Sequence, residues 1–134
     1  EKEARKLEEM ATNVGLGFQI WDDYLDATAS EEILGKPSGS DIRQGKRTLL
    51  VIEALNRSDK NDRKKLINIL DSKNTDEEID EAVNIMNNCG ALEECHKQAK
   101  RYLESARKTL SNYPQSEARK LFEELLEYMV TRGH

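Results

Sequence analysis

The stretch KLEEMATNVGLGFQIWDDYLDA, residues 6–27, decides the fold. Leu7, Ala11, Val14, Phe18, Trp21 and Leu25 recur at steps of four and three, the period of one apolar face of an α-helix. The spacing predicts one long helix ending near Ala27. Gly15 and Gly17 lie inside it, where each costs roughly 1 kcal/mol relative to alanine. Glycines at that cost point to close approach by another backbone or by a ligand.

The helical period continues outward from this stretch. Leu49-Leu50-Val51-Ile52 has the β-branched content of a strand, but Glu53-Ala54-Leu55 continue it with helix formers, so it reads as helix. Asp62 to Leu70 reads as a short helix with Leu66, Ile67 and Leu70 apolar. Thr75-Asp76-Glu77-Glu78 has the form of a capping box, opening a helix that buries Ile79, Ala82, Val83 and Met86. Asn87-Asn88-Cys89-Gly90 breaks it. A further helix spans Ala91 to Leu110 and is stopped by Pro114. Ser116 caps a last one, running through Leu121, Phe122, Leu125, Met129 and Val130 to Gly133. The class is all-α, with about six helices in a single helical unit over residues 1–134.

Composition removes several alternatives. Two prolines and 7 glycines are too few breakers for a β-sandwich, and a net charge of -5 excludes a nucleic-acid binder with a wholly basic surface. No apolar run approaches the roughly 20 residues needed to span a bilayer, so no stable membrane insertion is expected. Cys89 and Cys95 lie six residues apart on different helix faces and read as free thiols of a reducing, cytoplasmic environment. With His96 and His134 as the only histidines, the chain lacks the ligand set of a structural zinc site. The first residue is Glu1, which reads as processing or as a piece of a longer chain.

One segment breaks the helical pattern. Between Thr28 and Arg47 lie Gly35, Pro37, Gly39 and Gly45 beside Lys36, Arg43, Lys46 and Arg47. Loops of this length are uncommon in compact domains and are usually functional or disordered; this one is expected to be mobile without ligand. It is not a P-loop. Five residues separate Gly39 from Gly45 where that motif needs four, Arg47 stands where Ser or Thr is required, and no strand precedes it. A glycine loop carrying lysines can still bind phosphate oxygens.

The helix before that loop ends in acid. Asp22 and Asp26 are four apart, and Asp23 and Asp26 three, which puts all three carboxylates on one side. Gln19 sits one turn earlier. The carboxylates repel one another, and the helix macrodipole disfavours anions at this end. Taken alone, such a cluster is either a solvated helix end or the seat of a cation. Hard carboxylate oxygens suit Mg²⁺, which usually shares itself with phosphates.

Taken in order, Gly17-Phe18-Gln19-Ile20-Trp21-Asp22-Asp23-Tyr24-Leu25-Asp26, then Leu34-Gly35-Lys36-Pro37-Ser38-Gly39-Ser40-Asp41-Ile42, then Gly45-Lys46-Arg47-Thr48, resemble the second aspartate-rich region of the trans-isoprenyl diphosphate synthases. That family includes farnesyl and geranylgeranyl diphosphate synthases. Gly90-Ala91-Leu92 and Tyr128-Met129-Val130-Thr131-Arg132 are similar to its C-terminal helices.

The resemblance implies the C-terminal part of the isoprenoid synthase helical bundle. It also implies a prenyltransferase that joins an allylic diphosphate to isopentenyl diphosphate: the allylic C–O bond ionises, isopentenyl diphosphate attacks the cation, and a proton leaves. By motif position it implies Mg²⁺ on Asp22, with Asp23 and Asp26 binding or orienting its waters. Lys36 and Lys46 would contact diphosphate oxygens, Gln19 would face the allylic substrate, Phe18 would line the hydrocarbon cavity, and Asp41 would support these groups from behind. The first aspartate-rich motif and the basic motif for isopentenyl diphosphate are absent from this sequence. The expectation is therefore a fragment inactive alone that self-associates, as a homodimer or by exchanged helices, to cover Leu7, Val14, Phe18, Trp21 and Leu25. The alternative is a non-catalytic, synthase-like binding module.

Overall fold

A computed structural model of the chain describes residues 1–131, the side chain of Val130 excepted. Every regular element among them is helical: α1 (Lys2–Thr28), α2 (Glu31–Leu34), α3 (Ser40–Arg43), α4 (Leu49–Arg57), α5 (Lys60–Asp71), α6 (Asp76–Asn88), α7 (Ala91–Leu110) and α8 (Glu117–Thr131). The six long helices stand where the periodicity predicts them. The segment between α1 and α4 differs from the expected featureless loop, because it contains the two single-turn helices α2 and α3.

Local chemistry starts the helices. The Thr48 hydroxyl accepts the Val51 N–H, and Asp59 accepts the N–H groups of Asn61 and Asp62. The box read from Thr75 and Glu78 is formed in both directions, with Thr75 N–H donating to Glu78 Oε2 at 2.8 Å and Glu78 N–H to Thr75 Oγ1 at 3.3 Å. Caps of this kind are each worth about 0.5–2 kcal/mol. Gly90, at φ 80°, makes the turn from α6 into α7, a left-handed conformation that glycine adopts without steric cost.

α1 and α7 run antiparallel and form the spine. Asn13 meets Ser105, Gly17 meets Leu103 and the Ala99 carbonyl, and the Trp21 ring lies 5.2 Å from that of His96. Gly17 borders a backbone, as its cost in the sequence implies; Gly15, exposed and with nothing within 4 Å of a Cβ, does not. Trp21, 1% exposed, enters the large core built with α4, α5, α6 and α7, where it meets residues such as Leu66, Met86 and Cys95. A second cluster joins Met10, Leu103, Ala106 and Leu110 to Leu126 of α8.

The expected apolar stripe of α1 needs correction. Trp21 and Leu25 are buried and Val14 and Phe18 half-buried, but Leu7 is 45% exposed, while Met10, Gly17 and Ile20 take inward positions. α7 closes where Gly17 offers no side chain, and that contact, not the maximum of hydrophobicity, sets which face turns inward. α8 buries only part of its apolar set. Leu126 is buried and Met129 half-buried against the second cluster, whereas Leu121, Phe122 and Leu125 are exposed. The side chain of Val130, and Arg132, Gly133 and His134, lie outside the described residues.

Candidate functional site

The end of α1, the segment carrying α3, the start of α4 and the middle of α7 enclose a cleft of about 720 Å³. Helix spacing puts Gln19, Asp22 and Asp23 of α1 on its wall. The returning segment adds Lys36, Asp41, Lys46 and Arg47. Leu16, Ile20, Leu49 and Tyr102 form an apolar portion of the lining, and Gln98 completes it from α7. A cleft lined by both charged and apolar groups suits a ligand that carries both.

The charged groups are linked. Gln19 Nε2 donates to Asp23 Oδ1 at 3.0 Å. Lys46 Nζ lies 2.6 Å from Asp41 Oδ1, which raises the lysine's proton affinity through hydrogen bond and charge together. Lys36 Nζ lies 2.8 Å from Asp26 Oδ1 and is raised chiefly by that hydrogen bond, against some desolvation. Both lysines are thus cationic at neutral pH. Burial pushes the Asp23 carboxyl up; the Gln19 hydrogen bond opposes this, and the charges of Asp41, Asp22 and Asp26 reinforce it. Negative charge is therefore crowded around Asp23, the situation an added cation relieves.

Two expected site residues lie elsewhere. Asp26 does not line the cleft. It is 2% exposed and turned toward the segment that folds back over it. Burial pushes its carboxyl up, but hydrogen bonds from Lys36, the Asp41 N–H and Ser40 outweigh that and hold it below the ordinary carboxylate value. Phe18 is half-buried and is also absent from the lining. Arg43 is directed away, to Asp76 of α6, while Arg47, at the rim, pairs with Asp71 of α5. Gln98 and Tyr102 escaped the sequence reading; one turn apart on α7, they reach the cleft only through the antiparallel contact with α1.

The donor set fits a hard divalent cation as a partial shell. Among the described residues no three His, Cys, Asp or Glu side chains gather into a site that could hold a metal ion unaided. Asp22 and Asp23 offer adjacent carboxylates on the cleft wall, the provision typical of Mg²⁺ completing its shell with water and phosphate.

The sequence of residues 1–86 matches the family model described as polyprenyl synthetase. The chain belongs to that family. It is 40% identical over 133 residues to the short chain isoprenyl diphosphate synthase of Methanothermobacter thermautotrophicus, covering 99% of this chain and 41% of that protein. Its fold is similar to that of geranylgeranyl pyrophosphate synthetase from Pyrococcus horikoshii, with a TM-score of 0.89 and 37% identity over 96% of this chain and 39% of the other. It is also similar to geranylgeranyl pyrophosphate synthase from Corynebacterium glutamicum complexed with isoprenyl diphosphate and magnesium, with a TM-score of 0.87 and 26% identity over 96% of this chain and 37% of the other. The fold is thus the all-α fold of the isoprenoid synthases, and the chain spans about two fifths of the length of the relatives it matches. No helix among the described residues is long and apolar enough to cross a membrane.

Proposed function

We propose that the chain supplies the second metal–diphosphate motif of a short-chain prenyltransferase that condenses an allylic diphosphate with isopentenyl diphosphate. The observation that carries this reading is the cleft itself, which Asp22, Asp23, Lys36 and Lys46 line together with Leu16, Ile20, Leu49 and Tyr102. Asp22 and Asp23 would hold Mg²⁺, directly or through its waters. The bound cation would neutralise charge developing on the departing diphosphate. Lys36 and Lys46 receive the diphosphate oxygens, and because both are already fixed by carboxylates they need little reorganisation to do so. Asp41 holds Lys46. Gln19, bonded to Asp23, is directed at the allylic end of the substrate. Leu16, Ile20, Leu49 and Tyr102 receive the prenyl chain.

The 134-residue chain alone is assigned a binding role without turnover, because the partner carboxylates and the isopentenyl diphosphate site are not in its sequence. Transfer of radiolabelled isopentenyl diphosphate onto an allylic diphosphate tests both statements. A protein carrying this chain within a complete synthase makes longer prenyl diphosphates, and Asp22→Ala abolishes the product. Product formed by the 134-residue chain alone would overturn the division of labour; full activity of Asp22→Ala would overturn the site.

A further inference from the structure

We propose that Asp26 is a positioning residue, a latch that holds the lysine-bearing segment at the cleft, and not a contact of the metal or its waters. The proposal deepens the reading of the cleft as a diphosphate site and rests on it for the role of the lysines. The latch itself rests on geometry. Asp26 Oδ1 accepts from Ser40 Oγ at 2.7 Å and from Lys36 Nζ at 2.8 Å. Its Oδ2 accepts from the Asp41 backbone N–H at 2.9 Å. Its carbonyl oxygen accepts from the Gly39 N–H at 2.7 Å and from Ser38 Oγ at 3.2 Å. One residue thus takes five hydrogen bonds from residues 36–41, and both carboxylate oxygens are committed.

The latch reaches both lysines by different routes. Lys36 touches Asp26 directly and also donates to Ser40 Oγ at 3.0 Å. Lys46 is held by Asp41, whose own backbone is fixed by Asp26 Oδ2. The far side of the segment is fixed too. Gly39 has φ 71°, and a Cβ there would run into Ile79 Cγ2 of α6, so the chain passes between α1 and α6 along a route only glycine permits. Charge-assisted hydrogen bonds are the stronger kind, and a buried carboxylate left without them is heavily penalised.

Amide hydrogen exchange and pyrophosphate binding separate a latch from a metal ligand. In protein free of divalent metal, residues 39–41 are protected, and Mg²⁺ alone does not change that protection. Asp26→Asn keeps the shape and removes the charge. It speeds exchange across 36–47 and weakens inorganic pyrophosphate binding in the presence of Mg²⁺, each by at least about tenfold, the loss of one charge-assisted hydrogen bond. Mn²⁺ bound at saturating pyrophosphate, read by electron paramagnetic resonance, stays within about twofold; Asp22→Asn lowers it and leaves exchange across 36–47 unchanged. Ser40→Ala removes one strut without touching α1, and shifts exchange in the same direction by less, which keeps the test open should Asp26→Asn fail to fold. Protection of 39–41 that arises only with Mg²⁺, or loss of Mn²⁺ binding in Asp26→Asn with protection intact, overturns the proposal. Failure of the wild-type protein to bind pyrophosphate with Mg²⁺ sinks the diphosphate reading but leaves the exchange result standing.

Discussion

Gly17 of α1 lies against Leu103 of α7 with no room for a side chain: a Cβ built there would be 2.9 Å from Leu103 Cγ and 3.2 Å from the Ala99 carbonyl oxygen. Leu103 is itself buried, and Cγ is its branching carbon, so it cannot swing aside. Gly15, two residues earlier, has nothing within 4 Å of the same position. Gly17→Ala should therefore lose about 1–3 kcal/mol of stability through overpacking. Gly15→Ala should gain up to about 1 kcal/mol from helix propensity. Urea denaturation of the two variants checks the pair; equal effects would mean that the two helices are not in contact at Gly17.

The two cysteines should behave differently. Cys95 is 1% exposed, and burial, reinforced by the charges of Glu53, Asp23 and Glu94, pushes its thiol up to about 12. Cys89 is half-buried, its thiol donating to the Met86 carbonyl at 3.5 Å. At pH 8 iodoacetamide should alkylate Cys89 first and Cys95 only after denaturation. The raised thiol also sets a sign. Above the ordinary thiol value the unfolded chain loses a proton that the folded chain keeps, so this group's contribution to stability falls as pH rises from roughly 8.5 toward 12. Cys95→Ala should flatten that part of the pH–stability curve.

An exposed apolar strip remains on α8, where Leu121, Phe122, Leu125 and Tyr128 are 65%, 48%, 44% and 61% exposed. The sequence placed the self-association surface on α1, but Trp21 and Leu25 are already covered there. Strips of this kind favour association in water. The 134-residue chain is expected to sediment above its monomer mass at tens of micromolar, and the double variant Phe122→Glu, Leu125→Glu to return it to monomer. A wild-type chain monomeric at every concentration would contradict this.

The legibility of the chain follows from which features are local. Thr75 and Glu78 were readable because a capping box is settled within four residues. The course of α1 was readable because one period runs through it. The burial of Asp26 was not. Helix spacing makes Asp22, Asp23 and Asp26 equivalent, and only the fold-back of residues 36–41 removes the third from the cleft. α8 has apolar residues on more than one face, so its periodicity could not choose Leu126 over Leu125. Gln98 and Tyr102 carry no local signal at all, because α7 contributes them to the cleft only by packing against Gly17.

The most direct test of the account is calorimetric titration of inorganic pyrophosphate into the protein carrying this chain, with and without Mg²⁺, for the wild type, Asp22→Ala and Lys46→Ala. Asp22, Asp23 and Asp41 share the cleft lining with Lys36 and Lys46, so a bound cation offsets their negative charge against pyrophosphate. The account expects binding with Mg²⁺ and none without it. It expects loss of that Mg²⁺ dependence in Asp22→Ala, and roughly tenfold weaker binding in Lys46→Ala, as for one charge-assisted hydrogen bond. Equal binding with and without Mg²⁺, or wild-type behaviour in both variants, would contradict it.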